Sequence, residues 1–275
     1  GTTISFGSPV VFESGATNYL ASAYDAVAQK VVFAYQDGGN SNKGTAIVGT
    51  VSGTSISFGS ATVFDINQCT YVSATYDPDS QKVIVAYRGS GNGAAVVGTV
   101  SGTSITFGSA STYNSSNAQY NSITYDVNAQ KVVVAYQDVG NSSYGTAAVG
   151  TVSGTSISFG TSVVFEAATT QEISATYDAN AQKIVIGYSD GGNSYYGTGI
   201  VGTVSGTSIS FGSPVVFTSS YIFSTSVAYN SDAKKVAIAY RDFGNSSYGT
   251  VTIGTVSGTS ITFTTPTVYE LSLKP

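Results

Sequence analysis

The sequence predicts an all-β fold built from one repeated unit, and three observations carry that expectation. The octapeptide Gly-Thr-Val-Ser-Gly-Thr-Ser-Ile occurs five times without change, at 49–56, 98–105, 150–157, 202–209 and 254–261, and self-similarity at a fixed period marks a repeat architecture. Between its copies lie short β-branched and aromatic runs bounded by Gly, Asn, Asp and Ser clusters, the pattern of strands and turns. No stretch carries a helical period, and the 32 glycines recur too densely for one.

Counted from the second glycine of the octapeptide, units span 1–52, 53–101, 102–153, 154–205 and 206–257, with a partial unit at 258–275. Each unit reads as four strands. The first is the Ser-Ile-Ser-Phe segment and the apolar residues after it, with a Gly between them that marks a bulge or bend. The second is short and rich in Ser, Ala and Thr, ending at Tyr24, Tyr76, Tyr125, Tyr177 and Tyr229. The third is a nearly unbroken apolar run ending at Tyr35, Tyr87, Tyr136, Tyr188 and Tyr240; a β-branched run of that kind reads as a strand buried on both faces. The fourth leads through Ser-Gly into the next unit, a two-residue hairpin.

Four antiparallel strands repeating at about 50 residues predict a β-propeller, here with five blades in one domain covering 1–275. The short strand takes the innermost place, where blades converge and large side chains would collide. A β-solenoid is the rival reading, but its rungs are shorter and need no doubly buried strand. The Ser-Ile-Ser-Phe strand, counted with its single Ser/Thr variants, occurs six times for five blades. The N-terminal copy is expected to seal the ring in the final blade, and the displaced copy offers a route to self-association.

Composition narrows the chemistry. Ten basic and 15 acidic side chains leave a net charge of −5, which argues against nucleic acid and anionic lipid as partners. The chain has no His and a single Cys, Cys69, so Ser-His-Asp and Cys-His catalysis and the usual zinc sites are excluded. No apolar run approaches the length of a membrane span, and no signal peptide is recognised at the N-terminus. No metal or cofactor is expected. Asp25, Asp77, Asp126 and Asp178 recur in one turn, and Asp37, Asp138, Asp190 and Asp242 in another. An acid repeated in nearly every unit reads as a turn-former that brackets its loop by accepting backbone N–H bonds.

The informative positions are those where the copies differ. The connection entering the short strand varies almost completely, and the loop between the third and fourth strands varies in part. Alternate connections of a meander emerge together, so both variable loops share one face. That face carries Tyr, Asn, Ser and Asp, and flat rings with amides suit sugars. The expected ligand-binding residues are Asn141, Tyr144, Asn193, Tyr195, Tyr196, Asn245 and Tyr248, with Tyr71 and Tyr120, and Asp37, Asp138, Asp190 and Asp242 bracing the loops. The second unit, whose loop is shorter and has Gly89 in place of the Asp, is expected to hold the poorest site.

The repeat GTVSGTSISFGSPVVF, with the AYDxxxQKVVVAYxD stretch, is similar to repeats of tail-fibre-like proteins of marine viruses and bacteria, and the plan resembles five-bladed lectin-type propellers. The run Asp190-Gly191-Gly192-Asn193-Ser194-Tyr195 also resembles a degenerate Asp box of sialidase-like blades, with Tyr in place of the upstream Ser. Sialidases clamp the substrate carboxylate with three arginines, and this chain has two, Arg88 and Arg241. The resemblance therefore implies a recognition module rather than an enzyme, multivalent for a glycan or cell-surface receptor and located outside the cell or on a virion. A structural repeat of a fibre or surface layer is the alternative.

Overall fold

The computed structural model describes residues 4–270. Apart from two short 3-10 turns at Gly38–Asn40 and Gly191–Asn193, every regular element is an antiparallel strand. One pairing pattern recurs five times. In the first copy, Thr17–Asp25 pairs with Lys30–Asp37, and Lys30–Asp37 with Lys43–Ser52. The outer edge of Lys43–Ser52 is covered in two pieces, by Ser55–Phe58 on one half and Thr62–Gln68 on the other. The break falls at Gly59, where the chain swings out of the ladder. The same order follows in four further units, its strands named from here on inner, second, third and outer. These are the second, third and fourth strands of one sequence repeat and the first strand of the next, so each structural unit takes its outer strand from the repeat that follows it.

Local chemistry sets these elements. In each octapeptide the two-residue loop places Gly first, and Gly53 lies at φ +60°, which a hairpin turn of this kind requires and a side chain resists. The turn after the inner strand is braced by its Asp: Asp25 Oδ1 accepts the N–H groups of Val27 and Ala28 at 3.0 and 2.9 Å. Asp77 and Asp178 do the same. The second strands are buried along almost their whole length, as their unbroken apolar runs demand.

The units are joined by an aromatic wedge. Phe165, on the outer strand of the third unit, rests on Gly145 of its own third strand, where a Cβ would lie 2.5 Å from the ring. The same ring meets Tyr188 and Phe211 of the fourth unit, edge-on and tilted, at centroid distances of 5.3 and 5.6 Å. Phe64, Tyr113 and Phe217 repeat this arrangement. Polar bonds accompany it. Ser122 Oγ accepts from Ala175 N at 2.9 Å, Ser174 Oγ from Val227 N at 3.0 Å, and Gln137 Nε2 donates to Thr170 O at 2.8 Å.

The expected closure of the chain into a five-bladed ring is corrected. The sheets are not closed: inner strands pack against those of adjoining units along the series, and no such junction joins the fifth unit to the first among the described residues. Nor do residues 4–12 seal the final unit. The outer place there is held by Ser260–Phe263 and Thr267–Glu270, which a two-residue hairpin delivers at little loop-closure cost. Residues 4–12 lie instead against the first unit, with Phe12 packed on Phe33, Tyr35 and Phe58 at 5.7, 5.3 and 5.6 Å.

Among the described residues the wedge position is thus occupied six times, and the last copy, Tyr269, has no further unit packed on it there and is 63% exposed against 5% for Phe217. Phe217→Ala should therefore cost about 3–5 kcal/mol of unfolding free energy, the range for large-to-small core changes. Tyr269→Ala should stay within about 0.5 kcal/mol. Denaturant unfolding of the two variants checks the contrast.

Candidate functional site

The two variable loops of each unit meet, and backbone bonds tie them: Gly38 N donates to Ala16 O at 2.8 Å and Phe243 N to Tyr221 O at 3.0 Å. The loop Asp side chains point inward to brace them. Asp190 Oδ1 accepts from Gly192 N at 2.9 Å, and Asp37 Oδ1 from Asn40 N at 3.1 Å. Asp138 Oδ1 accepts from Gly140 N, Ser116 Oγ and Asn114 Nδ2 at 3.1, 2.7 and 3.0 Å. Asp242 accepts from Gly244 N at 3.1 Å and from Ser220 Oγ.

On the same face, each inner strand carries a bulge at one fixed position. Asn18 pairs with Gln36 and Ala21 with Ala34, so Tyr19 and Leu20 together oppose Tyr35. The bulge recurs opposite Tyr87, Tyr136, Tyr188 and Tyr240, and all five of these tyrosines are fully buried. Its first residue is Tyr19, Tyr71, Tyr120, Glu172 or Ser224, held at φ +50 to +52°. Non-glycine residues in that region are uncommon and carry strain. A bulge re-aims side chains out of the ladder, and here it gathers one residue from each unit.

Three of them form a ladder. The Tyr19 and Tyr71 rings lie 5.0 Å apart and the Tyr71 and Tyr120 rings 5.4 Å apart, with Tyr71 Oη directed at Gln119 Oε1 at 3.5 Å. Glu172 continues the row, its carboxylate accepting from Ser224 N at 2.6 Å. Burial, then the neighbouring Tyr71 and Glu172, push the Tyr120 hydroxyl up to about 12. Tyr71 is also raised, by burial and Tyr19, with the Arg88 guanidinium pulling the other way.

Arg88 stands at the edge of this ladder, its Nε donating to Asn117 Oδ1 at 3.1 Å. It borders a cleft of about 410 Å³ lined by Tyr19, Gln68, Thr70, Gly89, Ser90 and Gly91. A second cleft, about 430 Å³, lies on the far side of the same loop against Asp65, Asn67, Tyr87 and Asn92. Both clefts open at the second unit, the one expected from the sequence to hold the poorest site, because its shorter loop leaves room on either side instead of filling it.

The residues expected from the sequence to bind ligand are spread over three places. Tyr71 and Tyr120 are in the ladder. Tyr195 belongs to a separate aromatic group, 5.1 Å from Tyr221, which packs on Phe223 at 4.3 Å; Arg241 lies over the Phe223 ring at 5.8 Å. Tyr144, Tyr196 and Tyr248 begin their third strands and are half-buried, and Asn141, Asn193 and Asn245 are exposed in the loops before them. Glu172, Arg88 and the bulge were not singled out from sequence as site features. The signal was present at 19, 71, 120, 172 and 224, where otherwise similar units carry Tyr, Tyr, Tyr, Glu and Ser. Cys69 is buried, and burial with Asp65 nearby pushes its thiol upward, away from reactivity.

No protein-family model and no curated protein matches the chain. Solved structures do. NanB sialidase from Streptococcus pneumoniae, in a point-mutant form, matches with a TM-score of 0.52 at 12% identity, covering 73% of this chain and 33% of that one. NanB with optactamide matches with the same figures, TM-score 0.52, 12% identity, 73% and 33%. A neuraminidase-like protein from a flat-faced-bat isolate of Peru gives a TM-score of 0.43 at 11% identity, covering 95% of this chain and 91% of that one. This chain thus spans a third of the length of the NanB structures, at 33%.

The likeness is one of fold, an all-β fold with sialidase β-propellers as neighbours. It does not reach as far as a lectin or a tail-fibre identity. It corrects one expectation, that the chain is no enzyme: structures that share the fold are themselves sialidases, so counting arginines does not remove glycosidase chemistry from this fold.

The tyrosines give the structure a defined alkaline limit. Burial first of all pushes Tyr35, Tyr120, Tyr136 and Tyr240 up from 10.0 to about 12. In the unfolded chain these groups lose their protons near the ordinary tyrosine value, so the folded chain binds more protons above it. Their contribution is whole below pH 10 and is lost as pH rises through about 12. Unfolding free energy should be flat to about pH 9 and fall steeply from 10 to 12. Tyrosinate absorbance should show these groups ionising only as the fold is lost.

Proposed function

We propose that the loop-bearing face of this propeller-type array of five repeat units binds glycans, with the tyrosine ladder as its central platform. The observation that supports this reading most is the ladder itself. Three successive units spend backbone strain at one equivalent position to hold Tyr19, Tyr71 and Tyr120 in ring contact beside a polar cleft edged by Arg88. Rings of this kind offer apolar surface to the faces of sugars, while Gln68, Thr70, Ser90 and Arg88 supply donors and acceptors for hydroxyl or acidic groups. Glycan chemistry also agrees with the fold neighbours, which are sialidases.

Tyr71→Gly separates binding from folding. The substitution removes the ring and relaxes a φ of +50°, so lost packing and relieved strain offset each other. On a glycan array followed by calorimetry, Tyr71→Gly and Arg88→Ala should each weaken the best ligand at least about tenfold, or about 1.4 kcal/mol. The melting temperature of Tyr71→Gly should stay within a few degrees of the parent. Full binding by both variants would remove the ladder from the site.

The sialidase neighbours favour a second reading, in which a bound glycan is also hydrolysed with Glu172 as the acidic group beside Tyr71 and Tyr120. Release of reducing sugar from a glycan identified on the array, lost in Glu172→Gln with binding retained, would establish it. Binding without release leaves recognition as the function.

A further inference from the structure

The same sequence sits in two very different environments along this chain. In the last four complete units the Ile of Ser-Ile-Ser/Thr-Phe is buried: Ile105, Ile157, Ile209 and Ile261 are 1–4% exposed. Each pairs across its hairpin with a Val of the third strand, and the Phe two residues on pairs with a Gly, as in Val152↔Ile157 and Gly150↔Phe159. That Gly is required. A Cβ on Gly150 would lie 2.8 Å from both Ile157 Cδ1 and Phe159 Cε1.

Residues 4–12 carry this sequence and pair with no third strand among the described residues. Ile4 is 76% exposed and Phe6 87%, and the segment takes part in no ladder. It is nevertheless seated as the other outer strands are. Gly7 touches the Thr54 carbonyl of the first unit's hairpin, as Gly59, Gly108, Gly160 and Gly212 touch Thr103, Thr155, Thr207 and Thr259 of the units that follow them. Phe12 fills the wedge position on Tyr35. The outer strand of a unit is therefore in place ahead of the first unit, with no strand paired to its inner side among the described residues.

The exposed inner strand of the first unit matches this vacancy. Tyr125 is 6% exposed and donates from its hydroxyl to Asp79 in the turn of the unit before it, and at the equivalent place Tyr229 Oη accepts from the backbone N–H of Asn180 at 3.2 Å. Tyr24, the equivalent residue of the first unit, is 55% exposed.

We propose that residues 4–12 and the Tyr24 side of the first unit form a docking site for one further repeat unit of this sequence type, which enters by its third strand. Its Gly-Thr-Val-Ser segment pairs with residues 4–6 in the register of the other units, Gly opposite Phe6, Thr opposite Ser5 and Val opposite Ile4. Its inner-strand turn takes the Tyr24 hydroxyl. Strand addition to an unpaired edge supplies the main-chain bonds, and the Gly opposite Phe6 supplies selectivity.

Two forms of the ligand test this. The first is a synthetic peptide of residues 248–257, added to the full chain. The second is a copy of residues 218–257 joined directly ahead of Gly1, which recreates the Gly-Thr-Val-Ser-Gly-Thr hairpin at the join. Hydrogen exchange at the amides of residues 4–12 is the common readout, with calorimetry for the peptide. The peptide should slow exchange there, and its Gly254→Val form should bind at least tenfold more weakly. The tethered copy should slow the same amides and raise the melting temperature. Phe6→Asp, at a site exposed in the present chain, should abolish both effects. Unchanged exchange at residues 4–12 in both forms would overturn the proposal, as would equal binding of the Gly254→Val peptide or indifference to Phe6→Asp.

Discussion

The wedge of one aromatic ring between a glycine and the next unit's tyrosine holds this molecule together. Phe64, Tyr113, Phe165 and Phe217 each fill the space over a glycine of their own third strand and press on the buried tyrosine one unit further along. A unit of four short strands has too little core to stand alone, so its stability comes largely from such nearest-neighbour contacts. The buried tyrosine in turn accounts for the bulge. It is the single residue of the second strand that faces two on the inner strand, and the extra residue is the one thrust out at positive φ. The contact that joins the units therefore also fixes where the tyrosine ladder stands.

This coupling explains how the repeats vary without losing the fold. The bulge dictates a backbone conformation and leaves the side chain free, so the same position carries Tyr in three units, Glu in one and Ser in another. The loops behave similarly. Their Asp carboxylates hold the turns through backbone N–H groups, and the residues between are open to change. Where the Asp is missing, at Gly89, the loop is shorter and clefts open on both sides of it.

Much of the fold was legible because it rests on short-range patterns. The octapeptide, the unbroken apolar runs of the second strands and the turn-forming Asp residues each imply one local structure, and the strands lie where those patterns put them. Closure was not legible, since it depends on the angle between units, which no local pattern encodes. Six outer strands against five sets of inner strands showed a surplus, but not that Phe12 would find its pocket on the first unit. The site was half legible. Tyr71 and Tyr120 stood out as aromatic residues in variable connections. Their meeting with Tyr19 depends on a register shift of one residue, and hydrophobic alternation is silent about that. The same is true of Arg88, whose importance comes from the space left by a short loop rather than from any motif.

The unchanged hairpin has a kinetic meaning as well. Five identical Gly-Thr-Val-Ser strands face six nearly identical partners, so at equilibrium many exchanged pairings would be close in energy. Proximity in the chain breaks the tie. A two-residue loop with Gly already suited to positive φ closes within microseconds, far sooner than a strand can search for a copy fifty residues away. Each third strand is thus claimed by its own successor before any rival arrives, and the order of the units is written by the speed of turn formation.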